Sequence, residues 1–147
     1  MKNTSIHLFN TACKYLDTRE IPGKEDNPLI VDWTRALLTW ARNDEIPWCS
    51  TFLAAMADEA GYIVPDTVNA AARSWLTAGE RVEDPRIGDV AVFWRGNPMS
   101  WKGHAAIYVG QGSRNVYVLG GNQGNAVTIA PYPKYRLLEF RRLMKVK

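Results

Sequence analysis

Apolar positions in the first half of the chain recur every three or four residues, whereas in the second half they fall into short runs broken by glycines and polar turns. Ile6, Phe9, Cys13 and Leu16 step in the first way and predict an amphipathic helix from about Thr4 to Asp17. Ile30, Trp33, Leu37 and Trp40 predict a second helix, with Asn27 as its N-cap and Pro28 as its first helical residue. Behind Pro47, the positions Phe52, Leu53, Met56 and Ala60 predict a third, stopped by Gly61. Pro65-Asp66-Thr67 reads as another start signal, and Val68, Ala71, Ala72, Trp75 and Leu76 as one more helix. From Gly79 onward the character is that of strands: Val90 to Trp94, His104 to Val109, Val116 to Leu119, Ala126 to Ala130 and Leu137 to Leu143. Helices first and a strand meander afterwards predict an α+β fold, with the N-terminal helices packed on a central antiparallel sheet of about five strands.

Composition sets limits on this picture. A chain of 147 residues, 46% of them hydrophobic, fits a single domain spanning 1-147 with ample core, and no repeat or linker divides it. Six tryptophans and six tyrosines are many for this size, and they fill either a core or an aromatic groove. The net charge of +3 is scattered, except for Arg141-Arg142 and Lys145 to Lys147 near the C-terminus. Such a balance suits an anionic polymer such as a cell-wall mesh, although its usual meaning is solubility. No nucleic-acid partner is expected, and the chain is expected to be a monomer. The two cysteines, Cys13 and Cys49, make neither a disulfide framework nor a Cys-x-x-Cys metal pattern, so reduced thiols, no metal and no cofactor are expected. The N-terminus leads into an amphipathic segment, and no apolar run reaches membrane-spanning length. The expectation is a protein made in the cytoplasm without a signal peptide, for which any extracellular work would need a separate export route.

The candidate chemistry starts at Cys49. It falls in the first turn of the third predicted helix, where the helix dipole and free N–H groups favour a thiolate and are placed to hold an oxyanion. The alternative is that Cys49 is a small buried hydrophobe, as Cys13 on its apolar stripe is read to be. A cysteine nucleophile needs a base, and the chain offers His7 and His104. His7 lies on the polar side of the first helix and reads as a surface residue. His104 opens a central strand between Gly103 and two alanines, where a substrate has room to approach. The group that orients its ring is expected on the neighbouring strand end. Strand alternation favours Asn122 over Gln123, the competing reading of Asn122 being a turn residue that tolerates positive φ. Trp48, Trp94 and Trp101 are candidate groove walls for substrate, each equally readable as core.

Four stretches carry a resemblance to a known group: Glu20-Ile21-Pro22-Gly23 with Asn27-Pro28, Asp44 to Ser50, Pro85 to Phe93, and Gly103-His104 through to Gly120-Gly121-Asn122-Gln123. Together they resemble small papain-like cell-wall hydrolases related to the CHAP and NlpC-type cysteine peptidases and amidases of phages and bacteria. The resemblance implies a papain-like fold, with Cys49 as nucleophile, His104 as general base and Asn122 as orienter. Where many CHAP relatives place a glutamine before the cysteine, this chain has Trp48, so a side-chain contribution to the oxyanion hole is not implied. Asp44 and Glu45 alone are too few for the calcium loop that many CHAP-like enzymes carry. The implied function is hydrolysis of an amide in bacterial peptidoglycan, as an N-acetylmuramoyl-L-alanine amidase or a stem or cross-bridge endopeptidase. A phage endolysin or an antibacterial effector would use it. The rival from another class is a non-catalytic wall-binding or virion structural module of the same fold.

Overall fold

The computed structural model describes residues 5–21, 27–37 and 48–146, the side chains of 35–37 excepted. The predictions for Trp40, Pro47, Asp44 and Glu45 lie outside the described residues. Among the described residues three helices come first: α1 (Ile6–Cys13), α2 (Pro28–Leu37) and α3 (Cys49–Glu59). α1 is shorter than its apolar stripe suggests, because the chain turns over Lys14 to Asp17 and Asp17 takes φ 70. Asn27 caps α2 as expected, its side-chain oxygen accepting from the Leu29 N–H at 3.0 Å.

The predicted helix at Val68 to Leu76 is reduced to a 3-10 helix, Ala72–Thr77. Local side-chain bonds compete with the helical ladder here. The Asn69 carboxamide accepts from the Ala71 N–H at 2.8 Å, and the Ser74 hydroxyl accepts from the Asn69 N–H at 3.0 Å.

Six strands follow among the described residues, one more than expected: β1 (Glu80–Val82), β2 (Val90–Trp94), β3 (Gly103–Gln111), β4 (Asn115–Gly120), β5 (Thr128–Pro133) and β6 (Leu137–Arg142). They form one sheet in the order β1-β6-β2-β3-β4-β5, and every pairing is antiparallel. Alternation along the strands divides the side chains between two cores. Val90, Val92, Ala105, Ile107 and Leu119 meet the helices. Ala91, Phe93, Ala106, Tyr108, Val116, Val118 and Phe140 form a second cluster on the opposite face. The sheet curls around that second cluster. Phe93 on β2 and Tyr132 on β5 have two strands, β3 and β4, between them in the sheet order, yet their rings stack with centroids 5.1 Å apart.

The turn into β2 is held by a buried carboxylate. Asp89 is fully buried and accepts from the Ser5 hydroxyl at 2.8 Å, the Arg86 N–H at 2.7 Å and the Arg142 guanidinium at 3.0 and 2.8 Å. One side chain thus ties the entry to α1, the turn and β6 together.

Candidate active site

Cys49 is the first residue of α3 and is 7% exposed. Trp48 sets its position from the N-cap. The Trp48 indole is fully buried, lies 6.1 Å from the Trp33 ring and donates to the Glu20 carboxylate at 2.6 Å. Trp48 is therefore a core anchor and not a groove wall. Ser50 fixes the other side of the helix start: its hydroxyl donates to the Asn69 carbonyl at 2.5 Å and accepts from the Trp75 indole at 2.8 Å.

The backbone N–H groups of Ala105 on β3, of Ser50 and of Cys49 itself are close enough to the Cys49 sulfur to favour its charged form. The Ala105 N–H sets the sulfur against the residue next to His104. Gly103 joins Cys49 in lining a cleft of about 250 Å³, with Ala70 to Ala72 on one wall and Arg95, Trp101 and Lys102 on the other. Trp101 is 73% exposed and is the one predicted groove tryptophan that lines this cleft. Trp94 instead packs on Tyr135, to whose carbonyl its indole donates at 3.2 Å.

His104 is buried against Tyr132, whose ring stacks on the imidazole with centroids 4.5 Å apart and planes at 11°. Its Nε2 lies 2.8 Å from Gln123 Oε1. The residue that orients the ring is thus Gln123, where Asn122 was expected. Asn122 takes φ 60, a left-handed conformation that asparagine tolerates well. That reversal breaks strand alternation and returns Gln123, not Asn122, to the face of His104. The turn-residue reading of Asn122 is the one the backbone follows.

Gln123 is fixed in turn. Its amide nitrogen donates to the Thr128 carbonyl at 2.7 Å and faces the Val118 carbonyl at 3.3 Å. Carbonyls only accept, so the amide oxygen must be the atom facing the ring, and the proton between them sits on Nε2. Nδ1 is left as the basic nitrogen. The two glycines before Asn122 serve close approach: a Cβ at Gly120 would stand 2.7 Å from Gln123 Oε1, and one at Gly121 2.6 Å from the Trp48 ring.

Burial dominates the electrostatics of the pair. It raises the Cys49 thiol above its ordinary value of 9.0, and the backbone bonds and the nearby Arg95 charge only partly oppose it. It pushes His104 down from 6.5 to about 4, against the bond to Gln123. Burial therefore works against the thiolate at Cys49, while the backbone N–H groups and the Arg95 charge favour it. A consequence for stability follows. Between pH 6.5 and about 4 the unfolded chain binds a proton at residue 104 that the folded chain refuses, so stability falls as pH drops through that window. The loss at the acid end is expected to be about 3 kcal/mol. Urea midpoints of wild type and His104→Leu at about pH 7 and pH 4.5 should therefore converge on acidification. Parallel trends would refute a buried neutral imidazole.

No protein-family model matches the chain, and no curated protein matches it. Solved structures do. The chain is similar to a protein described as similar to lipoprotein, NLP/P60 family, from Staphylococcus aureus (TM-score 0.57, 19% identity, 98% of this chain and 42% of that one). It is similar to NlpC1 of Trichomonas vaginalis (TM-score 0.55, 20% identity, 95% and 44%). An NlpC/P60 family protein of Bacillus cereus gives TM-score 0.59 at 19% identity, over 95% and 40%. The fold is that of the NlpC/P60 class of papain-like proteins. The chain spans under half the length of each of these relatives.

Proposed function

We propose that the chain is a cysteine hydrolase that cleaves an amide bond of bacterial peptidoglycan, with Cys49 as nucleophile, His104 as general base and then acid, and Gln123 as the residue that positions the ring. The observation that carries this reading is the 2.8 Å bond that His104 Nε2 donates to Gln123 Oε1, with the Ala105 N–H of the same strand near the Cys49 sulfur. A ring bound at Nε2 keeps Nδ1 free to take a proton. The neutral imidazole removes the thiol proton as sulfur attacks the carbonyl carbon, and the N–H groups at the start of α3 receive the negative oxygen. The protonated imidazole then gives its proton to the leaving amine. A water deprotonated by the same ring releases the acyl group from sulfur.

An amidase and a stem or cross-bridge endopeptidase share this chemistry, and either would serve in phage lysis or as an effector delivered to a competitor's wall. Incubation of purified peptidoglycan with the protein, followed by mass spectrometry of the released fragments, is expected to give new termini that name the bond. Absence of fragments with a folded protein would favour a wall-binding module. Gln123→Leu keeps the side chain's bulk but loses the acceptor, and is expected to lower kcat about a hundredfold. Asn122→Ala is expected to change kcat less than about threefold while costing about 1 kcal/mol for its left-handed backbone. The reverse ranking in steady-state assays would restore Asn122 as the orienting residue.

A further inference from the structure

The imidazole of His104 is held at more than one place. Its bond to Gln123 Oε1 fixes Nε2, but a single bond of this kind leaves the ring able to tilt about the line between the two atoms. Tyr132 sets the plane. Its ring lies on the imidazole with centroids 4.5 Å apart and planes at 11°, and on Phe93 with centroids 5.1 Å apart and planes at 28°. Phe93 and His104 are cross-strand partners on β2 and β3, so one tyrosine from β5 spans both. The pairing of β3 with β4 runs from Ile107 to Gln111, which leaves His104 beyond it. The turn that carries Gln123 and the ring of Tyr132 close around the imidazole instead.

The backbone that carries Tyr132 is stiff. Tyr132 stands between Pro131 and Pro133 near the end of β5, opposite Val116 of β4. Each proline fixes its own φ and holds the residue before it extended, so Ala130 and Tyr132 keep little backbone freedom. The strand tolerates two prolines because β5 is the last in the sheet order, where a missing N–H costs no ladder bond on the outer side. The curl of the sheet then brings this edge over β2 and β3, which is how a residue from β5 reaches His104.

We infer that Tyr132 is a positioning residue for His104: its ring fixes the plane of the imidazole and keeps water off one face, so that Nε2 stays on Gln123 and Nδ1 stays the nitrogen that takes a proton. Its place in catalysis rests on the hydrolase reading above; its hold on the ring does not. The ring, and not the hydroxyl, is the acting part. Burial pushes the Tyr132 hydroxyl up to about 12, so the phenol keeps its proton near neutral pH. Among the described residues, the charged or titratable groups around these two rings are Arg95, past the end of β2, whose charge reaches both, and Cys49 at the start of α3, which acts on Tyr132. The stacked face also suits the step in which His104 carries charge, because a cation lies favourably over an aromatic ring.

The test joins a spectroscopic arm to a kinetic one. Nitrogen-15 NMR of labelled histidine reports tautomer and titration together, with the His7 signals assigned from His7→Gln. In wild type and in Tyr132→Phe, His104 is expected to carry its proton on Nε2 and to titrate only towards about 4, the value to which burial pushes it from 6.5. In Tyr132→Ala, with folding checked by circular dichroism, opening one face is expected to raise that midpoint by at least about one pH unit and to populate the tautomer protonated on Nδ1. On peptidoglycan, Tyr132→Ala is expected to lose at least about thirtyfold in kcat with KM within about threefold, and Tyr132→Phe to restore kcat to within about threefold of wild type. Unchanged His104 signals in a folded Tyr132→Ala would overturn the inference. So would a Tyr132→Phe as impaired as Tyr132→Ala, since the hydroxyl would then be the acting group. Where Tyr132→Ala does not fold, Tyr132→Leu, which has bulk but no flat ring, takes its place, and a single Nε2–H tautomer in it would overturn the inference equally. Shifted signals in Tyr132→Ala with no hydrolysis by wild type would overturn the hydrolase reading and leave the hold on the ring standing.

Discussion

Cys49→Ala is expected to abolish peptidoglycan hydrolysis, with a loss of at least about 10⁴-fold in kcat and no more than about 1 kcal/mol in stability. The size of the first effect follows from the mechanism. Covalent catalysis has no substitute route when the attacking atom is gone, and what remains is the modest acceleration from binding and from the helix N–H groups. The size of the second follows from packing. Cys49 sits at the helix start, its side chain faces a cleft on one side, and the truncation removes a single sulfur atom from contact with Ala105. Circular dichroism and urea melts on the same preparation separate the two quantities. Full activity in Cys49→Ala would sink the mechanism, and a collapse of the fold would make loss of activity uninformative, in which case Cys49→Ser, which keeps size and polarity, takes its place. The same variants bear on the charge state. Alkylation of wild type is expected to rise with pH through the alkaline range without a plateau on the acid side, since burial holds the thiol up and the imidazole neutral.

Much of this site is legible in the sequence because it depends on local pattern. Pro47-Trp48-Cys49 followed by a 3.6-residue period places the cysteine at the start of a helix, and the short apolar runs Val90 to Trp94 and His104 to Val109, bounded by glycines, place the histidine at the start of a central strand. What the pattern does not carry is the local break. Strand alternation selects Asn122, and one left-handed residue is enough to transfer the role to Gln123. The same limit hides the fate of Trp48, because an aromatic residue beside a nucleophile reads as groove wall or core until a partner is seen, and its partner, Glu20, lies 28 residues away. β1 escapes for a different reason: Glu80-Arg81-Val82 is an exposed edge strand whose polar composition resembles a loop, and it exists through its pairing with β6. Val68 to Leu76 has the period of a helix, but Asn69 and Ser74 offer the backbone bonds that a helix would otherwise supply.

Asp89→Ala is expected to be the most destabilising single change in the chain, at about 3–5 kcal/mol. Its carboxylate has no exposure at all, whereas the Arg142 side chain that pairs with it is 21% exposed. Removing the carboxylate leaves the guanidinium partly buried without its counter-charge, takes away the Arg86 N–H's acceptor and breaks the bond from the Ser5 hydroxyl. Each of those losses alone is of the order of 1–3 kcal/mol, and they fall on three parts of the chain. Asp89→Asn separates the contributions: it keeps the volume and one acceptor oxygen but removes the charge, so it should lose about half as much, mostly through Arg142. The Asp89 backbone also accepts from the Tyr108 N–H at 2.7 Å, which joins this turn to β3, the strand that carries His104. The link to activity is therefore indirect. Melts of Asp89→Ala should show a lowered midpoint, while hydrolysis per folded molecule, measured well below that midpoint, should stay within about threefold of wild type. A stability loss under about 1 kcal/mol would mean that water or a rearranged Arg142 replaces the carboxylate, and that the Gly88-Asp89-Val90 turn is held by its neighbours and not by this ion pair.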